Sequence, residues 1–237
     1  MKCFYILLLV LAQLPVRLSS QNAVPGQSAG EQASFLPKLS ELEVLNGMAE
    51  IATYQGRRAV HLIPSPDHQG PEDSVLAILD HSAFQDGVIE VEVAGAPRKG
   101  APADARGFIG ISFHVQPHGS QLENIYLRPT NGRADDQLRR NHSAQYTSEP
   151  DYPWHRLRQE NPGLYESYVD LEAGAWTRMK IAVSGTTARL YVNGAAQPCL
   201  IVNDLKMGKA SGKIALWAHS STDAYFSKVR INEGTNR

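Results

Sequence analysis

The chain has 237 residues, 42% of them apolar and 20% charged, with 23 basic side chains against 24 acidic ones. That balance, without a run of like charge, leaves no electrostatic footprint for nucleic acid or for an anionic membrane surface. The length suits one large β domain, since all-β domains routinely reach it.

Met1 and Lys2 precede an apolar run over residues 3–14. The run is too short to cross a bilayer and is built like the core of a signal peptide. Ser19 and Ser20 place cleavage after Ser20, so the expected mature protein is secreted or periplasmic, with no membrane insertion. Residues 21–40, broken by Pro25 and Pro37, read as a flexible arm or linker, and residues 41–237 as the folded domain. Cys3 leaves with the signal and Cys199 is then alone, so no intramolecular disulfide is expected. Cys199 reads as a small buried apolar residue.

Strands separated by turn residues follow. Residues 48–54 and 58–63 flank Gln55-Gly56 as a hairpin, and Ser74–Leu79 is a short apolar strand. In residues 87–94 (GVIEVEVA), Ile89, Val91 and Val93 alternate with Glu90 and Glu92. In residues 108–115 (FIGISFHV), Ile109, Ile111, Phe113 and Val115 share one face, and Gly110, Ser112 and His114 the other. Residues 122–128 repeat the arrangement, with Ile125 and Leu127 opposite Asn124, Tyr126 and Arg128. Two such strands predict a sheet with one open side, a ligand floor bearing His114, Tyr126 and Arg128. The small residues would equally make room for a covering loop.

Residues 129–170 read as a long polar loop insertion. A compact domain rarely keeps so long an irregular segment unless it is functional or disordered, and its tyrosines and tryptophan argue against disorder. It gathers Arg133, Asp135, Asp136, Arg139, His142, Tyr146, Trp154, His155 and Tyr165. Strands resume at 176–184, 188–192, 200–202, 212–218 and 225–231, with Asn193-Gly194 at a tight turn. With no long helix-period run and no repeat, the fold class is all-β, a two-sheet antiparallel sandwich.

Three stretches carry a family resemblance: GAWTRMKIAVSGTTARLYVNG, KASGKIALWAHSSTDAYFSKVRI and DGVIEVEVAG. They resemble strands of concanavalin A-like, or laminin G-like, jelly-roll domains, and the likeness runs over roughly residues 42–231. IYLRPTNGRADDQLRRNHSAQY is similar to a loop of exported bacterial laminin G-like proteins. That superfamily includes lectins, carbohydrate-binding modules, glycoside hydrolases and domains associated with 3-keto-disaccharide hydrolysis. The resemblance implies a jelly roll and a carbohydrate ligand, by analogy of fold.

The residues qualify what that ligand site would do. The E-x-D-x-x-E strand of laminarinase-type enzymes is missing, and Glu90 with Glu92 supplies only part of such a pair. Arg133, Asp136 and Arg139 offer directional hydrogen bonds to sugar hydroxyls or to a carboxylated sugar, and Trp154 and Tyr165 a flat platform for a pyranose ring. An ion-pair network that merely stiffens the loop would use the same charges. Asp135, Asp136 and His142 are the catalytic candidates, His142 because imidazole titrates near neutrality. No zinc or EF-hand motif occurs and no cofactor is expected, although Asp135, Asp136 and loop carbonyls would suit calcium. The expectation is an exported carbohydrate-binding protein, with the sugar between the open sheet face and the 129–170 loops. The alternatives are a glycoside or 3-keto-disaccharide hydrolase using loop Asp, Glu or His, and a structural or adhesion module.

Overall fold

A computed structural model of the protein describes Met1, residues 33–70 and residues 73–234. The expected signal peptide, Met1 apart, lies outside the described residues. Among the described residues fourteen strands run in chain order: β1 (Leu42–Leu45), β2 (Gly47–Tyr54), β3 (Arg57–Pro64), β4 (Ser74–Leu79), β5 (Gly87–Pro97), β6 (Ile109–Val115) and β7 (Leu122–Leu127). They continue as β8 (Ala144–Glu149), β9 (Glu166–Ser167), β10 (Thr177–Ser184), β11 (Thr187–Val192), β12 (Leu200–Val202), β13 (Lys213–His219) and β14 (Thr222–Glu233). Two short helices, α1 (Gln137–Asn141) and α2 (Trp154–Glu160), flank β8.

The strands form two seven-stranded antiparallel sheets. One, here the front sheet, has the order β1-β4-β13-β6-β7-β8-β9, and the back sheet β12-β11-β10-β5-β14-β3-β2. The architecture is a jelly-roll sandwich. Its core lies between the sheets, where the period-2 alternation puts Ile109, Ile111, Ile125 and Leu127 from the front against Ile89, Val91, Met179 and Ile181 from the back, all buried. Burying one such side chain stabilises by about 1.5–3 kcal/mol, so the apolar parity fixes the register.

Gly110 shows that register acting on the front sheet's outer side. It pairs with Tyr126 across β6 and β7. A Cβ at Gly110 would lie 2.3 Å from the Ile125 carbonyl oxygen and 2.6 Å from the Tyr126 Cβ. Gly110→Val is therefore expected to lower the unfolding free energy by about 1–3 kcal/mol through overpacking, read by urea denaturation. An unchanged midpoint would contradict this packing.

Near its end β6 breaks parity. Lys213 pairs with Val115 and Ala215 with Ser112, so Phe113 and His114 together face Ile214 in a bulge, with His114 at φ 53°. Val115 is thereby turned to the outer side, beside Leu76, Leu122 and Ala215. His114 leaves the floor on which its alternation placed it. Its ring lies against Phe113 and Phe84, with centroids 4.9 and 6.1 Å apart, and its Nε2 is 2.9 Å from the Gln85 carbonyl oxygen. A bulge adds one residue to one strand, which alternation cannot register.

The 129–170 stretch is less irregular than its sequence suggests. β8 is a full strand of the front sheet, pairing Asn124 with Thr147 and Tyr126 with Gln145. Its inward residues Ala144, Tyr146 and Ser148 are small or polar enough to hide the alternation. α1 and α2, at five and seven residues, are too short to show a helical period.

On the back sheet, Glu90 and Glu92 project outward into ion pairs. Glu90 accepts from Arg230 at 3.0 Å and Arg178 at 3.4 Å, and Glu92 from Lys228 at 3.1 Å and from Arg57. They sit on the opposite sheet from the open face and form no catalytic pair with it. Phe35, within the stretch read as an arm, exchanges two backbone hydrogen bonds of 2.8 Å with Val229.

Candidate functional site

The outer face of the front sheet gathers the polar and aromatic residues. β7 contributes Asn124 and Tyr126, with Arg128 just past its end, and β8 contributes Gln145 and Thr147. β13 adds Trp217 and His219, because Ala215, Trp217 and His219 alternate away from the core residues Leu216 and Ala218. Phe108, ahead of β6, lies 6.2 Å from Tyr126 and 5.2 Å from His219, and Trp217 lies 4.8 Å from Tyr126, ring centre to ring centre.

Arg128 is the hub. Its Nη1 donates to the His142 carbonyl at 3.1 Å and to Glu166 Oε1 at 3.1 Å. Its Nη2 donates to the Tyr126 hydroxyl at 3.0 Å and to Gln145 Oε1 at 3.1 Å. The guanidinium carbon lies 5.2, 5.9 and 6.0 Å from the rings of Tyr126, Phe108 and Trp154. Such a guanidinium uses its planar fork of donors and its affinity for aromatic faces together. Gln145 is in turn held by its amide, which donates to the carbonyls of Tyr146 at 2.8 Å and Tyr165 at 3.2 Å.

Glu166 is the carboxylate of this hub. Besides Arg128 it accepts from Arg158 Nε at 2.9 Å and from Arg158 Nη2, and His142 Nε2 lies 3.4 Å from its Oε2. Burial pushes its carboxyl up, but Arg158 and Arg128 outweigh burial and hold it below the usual carboxylate range. Burial pushes the His142 imidazole down, helped by the charges of Arg158 and Arg128 and opposed by Glu166, so the ring is neutral at neutral pH. The Tyr126 phenol is pushed up by burial and keeps its proton. The patch thus sets a half-buried, neutral imidazole and the half-buried rings of Phe108, Trp154 and Trp217 over an enclosed phenol and an enclosed, ionised carboxylate.

Of the residues singled out from the sequence, Tyr126, Arg128, His142 and Trp154 meet here. Tyr146 and Tyr165 do not: parity sends Tyr146 inward, where its hydroxyl meets Glu123 at 2.5 Å and accepts from the Lys206 backbone at 2.8 Å. Tyr165 donates to Asp204 at 2.6 Å and takes a hydrogen bond from Lys206 Nζ. This second cluster lies at the sandwich edge, beside a cavity of about 390 Å³ lined by Tyr152, Lys206, Gln116 and Glu149. Burial raises the Glu123 carboxyl there.

Arg133 and Asp136 hold the loop in place. Arg133 pairs with Asp170 at 3.0 Å and Glu172 at 2.7 Å, strapping the loop to the segment before β10. Asp136 caps α1 by accepting from the Arg139 backbone at 3.0 Å. Asp135 is exposed, and His155 is exposed with its ring edge-on to Trp154, centroids 5.7 Å apart. Among the described residues no three metal-ligating side chains cluster, and no helix is long and apolar enough to cross a membrane. The sequence reading missed Phe108, Gln145, Arg158, Glu166, Trp217 and His219. The parity of residues 212–219 carried a signal for Trp217 and His219; for Glu166, on a two-residue strand, there was none.

Comparison with known proteins then places the chain. The family model of the 3-keto-alpha-glucoside-1,2-lyase-like domain matches residues 49–232. The chain belongs to that family. No curated protein sequence matches it. Among solved structures it is similar to the carbohydrate-binding module CBM66 from Bacillus subtilis, at 10% identity and a TM-score of 0.54, covering 80% of this chain and 93% of that one. A Bacillus subtilis protein of unknown function with a galectin-like fold aligns at 13% identity and TM-score 0.54, over 84% and 92% of the two chains. The carbohydrate recognition domain of Emp46p aligns at 14% identity and TM-score 0.51, over 84% and 90%. At such identities these likenesses establish the fold, the concanavalin A-like jelly roll of this 3-keto-glucoside lyase-like domain.

Proposed function

We propose that the protein binds a glycoside on the outer face of the front sheet, around Tyr126, Arg128 and Trp217. The 3-keto-glycosides after which its family is described are the ligand class. The observation that carries this reading is the buried Arg128, bonded to Tyr126, Gln145 and Glu166 and set among the rings of Tyr126, Phe108 and Trp154. Aromatic rings supply the flat apolar surface that a pyranose face covers, with Trp217, Trp154 and Phe108 half-buried, and the enclosed amide, phenol and carboxylate hold Arg128 beneath them. The carbohydrate-binding names among the fold neighbours support the same class.

A second reading, that the bound sugar is cleaved, is favoured by the contact between His142 and Glu166. A carbonyl at C3 of a glycoside acidifies the C2–H bond. A base that takes this proton leaves an enolate, whose electron pair forms the C1–C2 double bond as the C1–O bond breaks, and the departing alkoxide becomes the alcohol by taking a proton from the protonated base or from water. His142, neutral and oriented by Glu166, is suited to accept that proton, and the Tyr126 hydroxyl and Arg128 to steady the enolate oxygen. Because the folded imidazole titrates below its ordinary value, the base form persists below pH 6.5 and is lost only as pH falls through the lowered value. The kcat/KM for a methyl 3-keto-α-glucoside is expected to fall on the acid side below about pH 6.5, and His142→Gln to remove most of the activity. An acid limb above pH 7, or full activity in His142→Gln, would rule out this base.

A further inference from the structure

We infer that the glycoside taken by this face carries an oxyanion substituent, a carboxylate such as that of a uronic acid, bound by Arg139 and Arg106 beside the Arg128 hub. This rests on the sugar-binding reading above and adds a substrate class to it.

The argument begins with charge that the fold leaves uncompensated. Four guanidiniums, of Arg106, Arg128, Arg139 and Arg158, belong to this corner. Arg128 and Arg158 share the single carboxylate of Glu166. Among the described residues Arg106 and Arg139 form no ion pair. Arg106 Nη1 donates only to the carbonyls of Ala103 and Ala105, each at 3.0 Å. Arg139 Nε is buried and has no hydrogen-bond partner. The other nearby acids, Asp104 and Asp136, are exposed, and Asp136 is engaged with the backbone of Arg139.

Backbone hydrogen bonds hold these residues together. Thr130 N donates to the Arg106 carbonyl at 3.2 Å, Asn131 N to the Arg128 carbonyl at 2.8 Å, and His142 N to the Arg139 carbonyl at 3.0 Å. Arg128 Nη1 closes the ring onto the His142 carbonyl at 3.1 Å. On the same turn Thr130 Oγ1 and Asn131 Oδ1 are also buried without partners. A buried donor or acceptor left unmade is costly, so three in one corner mark a place completed by something else. Burial, with the charges of Arg139 and Arg128, holds the Arg106 guanidinium below its ordinary value against the opposing charge of the exposed Asp104.

A neutral sugar would offer these guanidiniums only hydroxyl oxygens. A carboxylate offers two oxygens at the spacing of a guanidinium fork and cancels a unit of the excess charge. A sulfate ester shares the oxyanion chemistry without the planar match, so the two sources are separable.

The test is calorimetric titration, at low and at physiological salt, of three unoxidised sugars that can bind without eliminating: methyl α-glucoside, methyl α-glucuronide and methyl α-glucoside 6-sulfate. Wild type is expected to bind the glucuronide at least about tenfold more tightly than the glucoside, with the advantage shrinking as salt rises. Arg139→Gln is expected to bring the two affinities within about twofold of each other. Arg106→Gln serves as the second variant, and thermal melts show whether each is folded. Preference for the sulfate ester alone overturns the carboxylate assignment. Equal wild-type affinity for glucoside and glucuronide, both weakened by Trp217→Ala, overturns the oxyanion class and leaves the sugar face standing. If none of these sugars binds, this inference falls, and the sugar face is judged separately by titration of a methyl 3-keto-α-glucoside.

Discussion

Replacing Arg128 with methionine is expected to lower the unfolding free energy by about 3–5 kcal/mol, the range for removing one partner of a buried ion pair. Arg128 and Glu166 are nearly wholly enclosed, with side chains 6% and 2% exposed. Methionine fills much of the volume but leaves the Tyr126 hydroxyl, Gln145 Oε1 and the His142 carbonyl without the donor that joins them. Glu166 keeps Arg158, whose side chain is 33% exposed and screened accordingly. Lysine should rescue little, because a single ammonium cannot reach acceptors disposed around a planar fork. Chemical denaturation of the three proteins checks this. A loss below about 1 kcal/mol for Arg128→Met would mean that the hub is a surface pair in energetic terms.

The second large effect is on binding. Trp217→Ala is expected to weaken glycoside affinity by about 2 kcal/mol or more, roughly thirtyfold, the cost of truncating an aromatic anchor at the centre of a contact. Trp217 is half-buried, its ring packed on Tyr126 with centroids 4.8 Å apart, so one side is held while the other remains available. Leu76, Leu122 and Ala215 carry the packing beneath it, so the variant should stay folded. Titration below its melting temperature reads the binding effect alone. Unchanged affinity would remove Trp217 from the site.

The two substitutions probe different layers of one feature, and the sequence disclosed those layers unequally. Period-2 alternation was legible wherever a strand buries one side, which gave the all-β sandwich and the outward pair Tyr126 and Arg128, while the jelly roll came from the family resemblance. It failed at His114, where a bulge changes parity, and at β8, where Ala144, Tyr146 and Ser148 do not read as an apolar set. The density of Arg, His and aromatic residues over 129–170 singled out a segment of which only some members reach the outer face of the front sheet. Two physical jobs use the same residue types there. Arg133 and Asp136 strap and cap the segment, whereas Arg128, His142 and Trp154 reach the sheet. Glu166 was invisible because its role comes from three partners, Arg128 just past β7, His142 just past α1 and Arg158 on α2, none adjacent in sequence.

The polar residues also form two clusters rather than one. The edge cluster of Glu123, Tyr146, Tyr165 and Lys206 satisfies its own hydrogen bonds, Glu123 accepting from Tyr146 and from the Met207 backbone at 2.8 Å. The outer face leaves Trp217, His142 and Arg158 half-buried and its arginines in excess. A fully satisfied buried network rigidifies a fold.

Calorimetric titration of a methyl 3-keto-α-glucoside into wild type, Trp217→Ala and Tyr165→Phe separates these clusters most directly. Saturable binding to wild type and to Tyr165→Phe, weakened at least about tenfold in Trp217→Ala, is the result predicted for a site on the front sheet's outer face. Binding that survives Trp217→Ala unchanged but is lost in Tyr165→Phe would place the sugar at the sandwich edge and contradict the account.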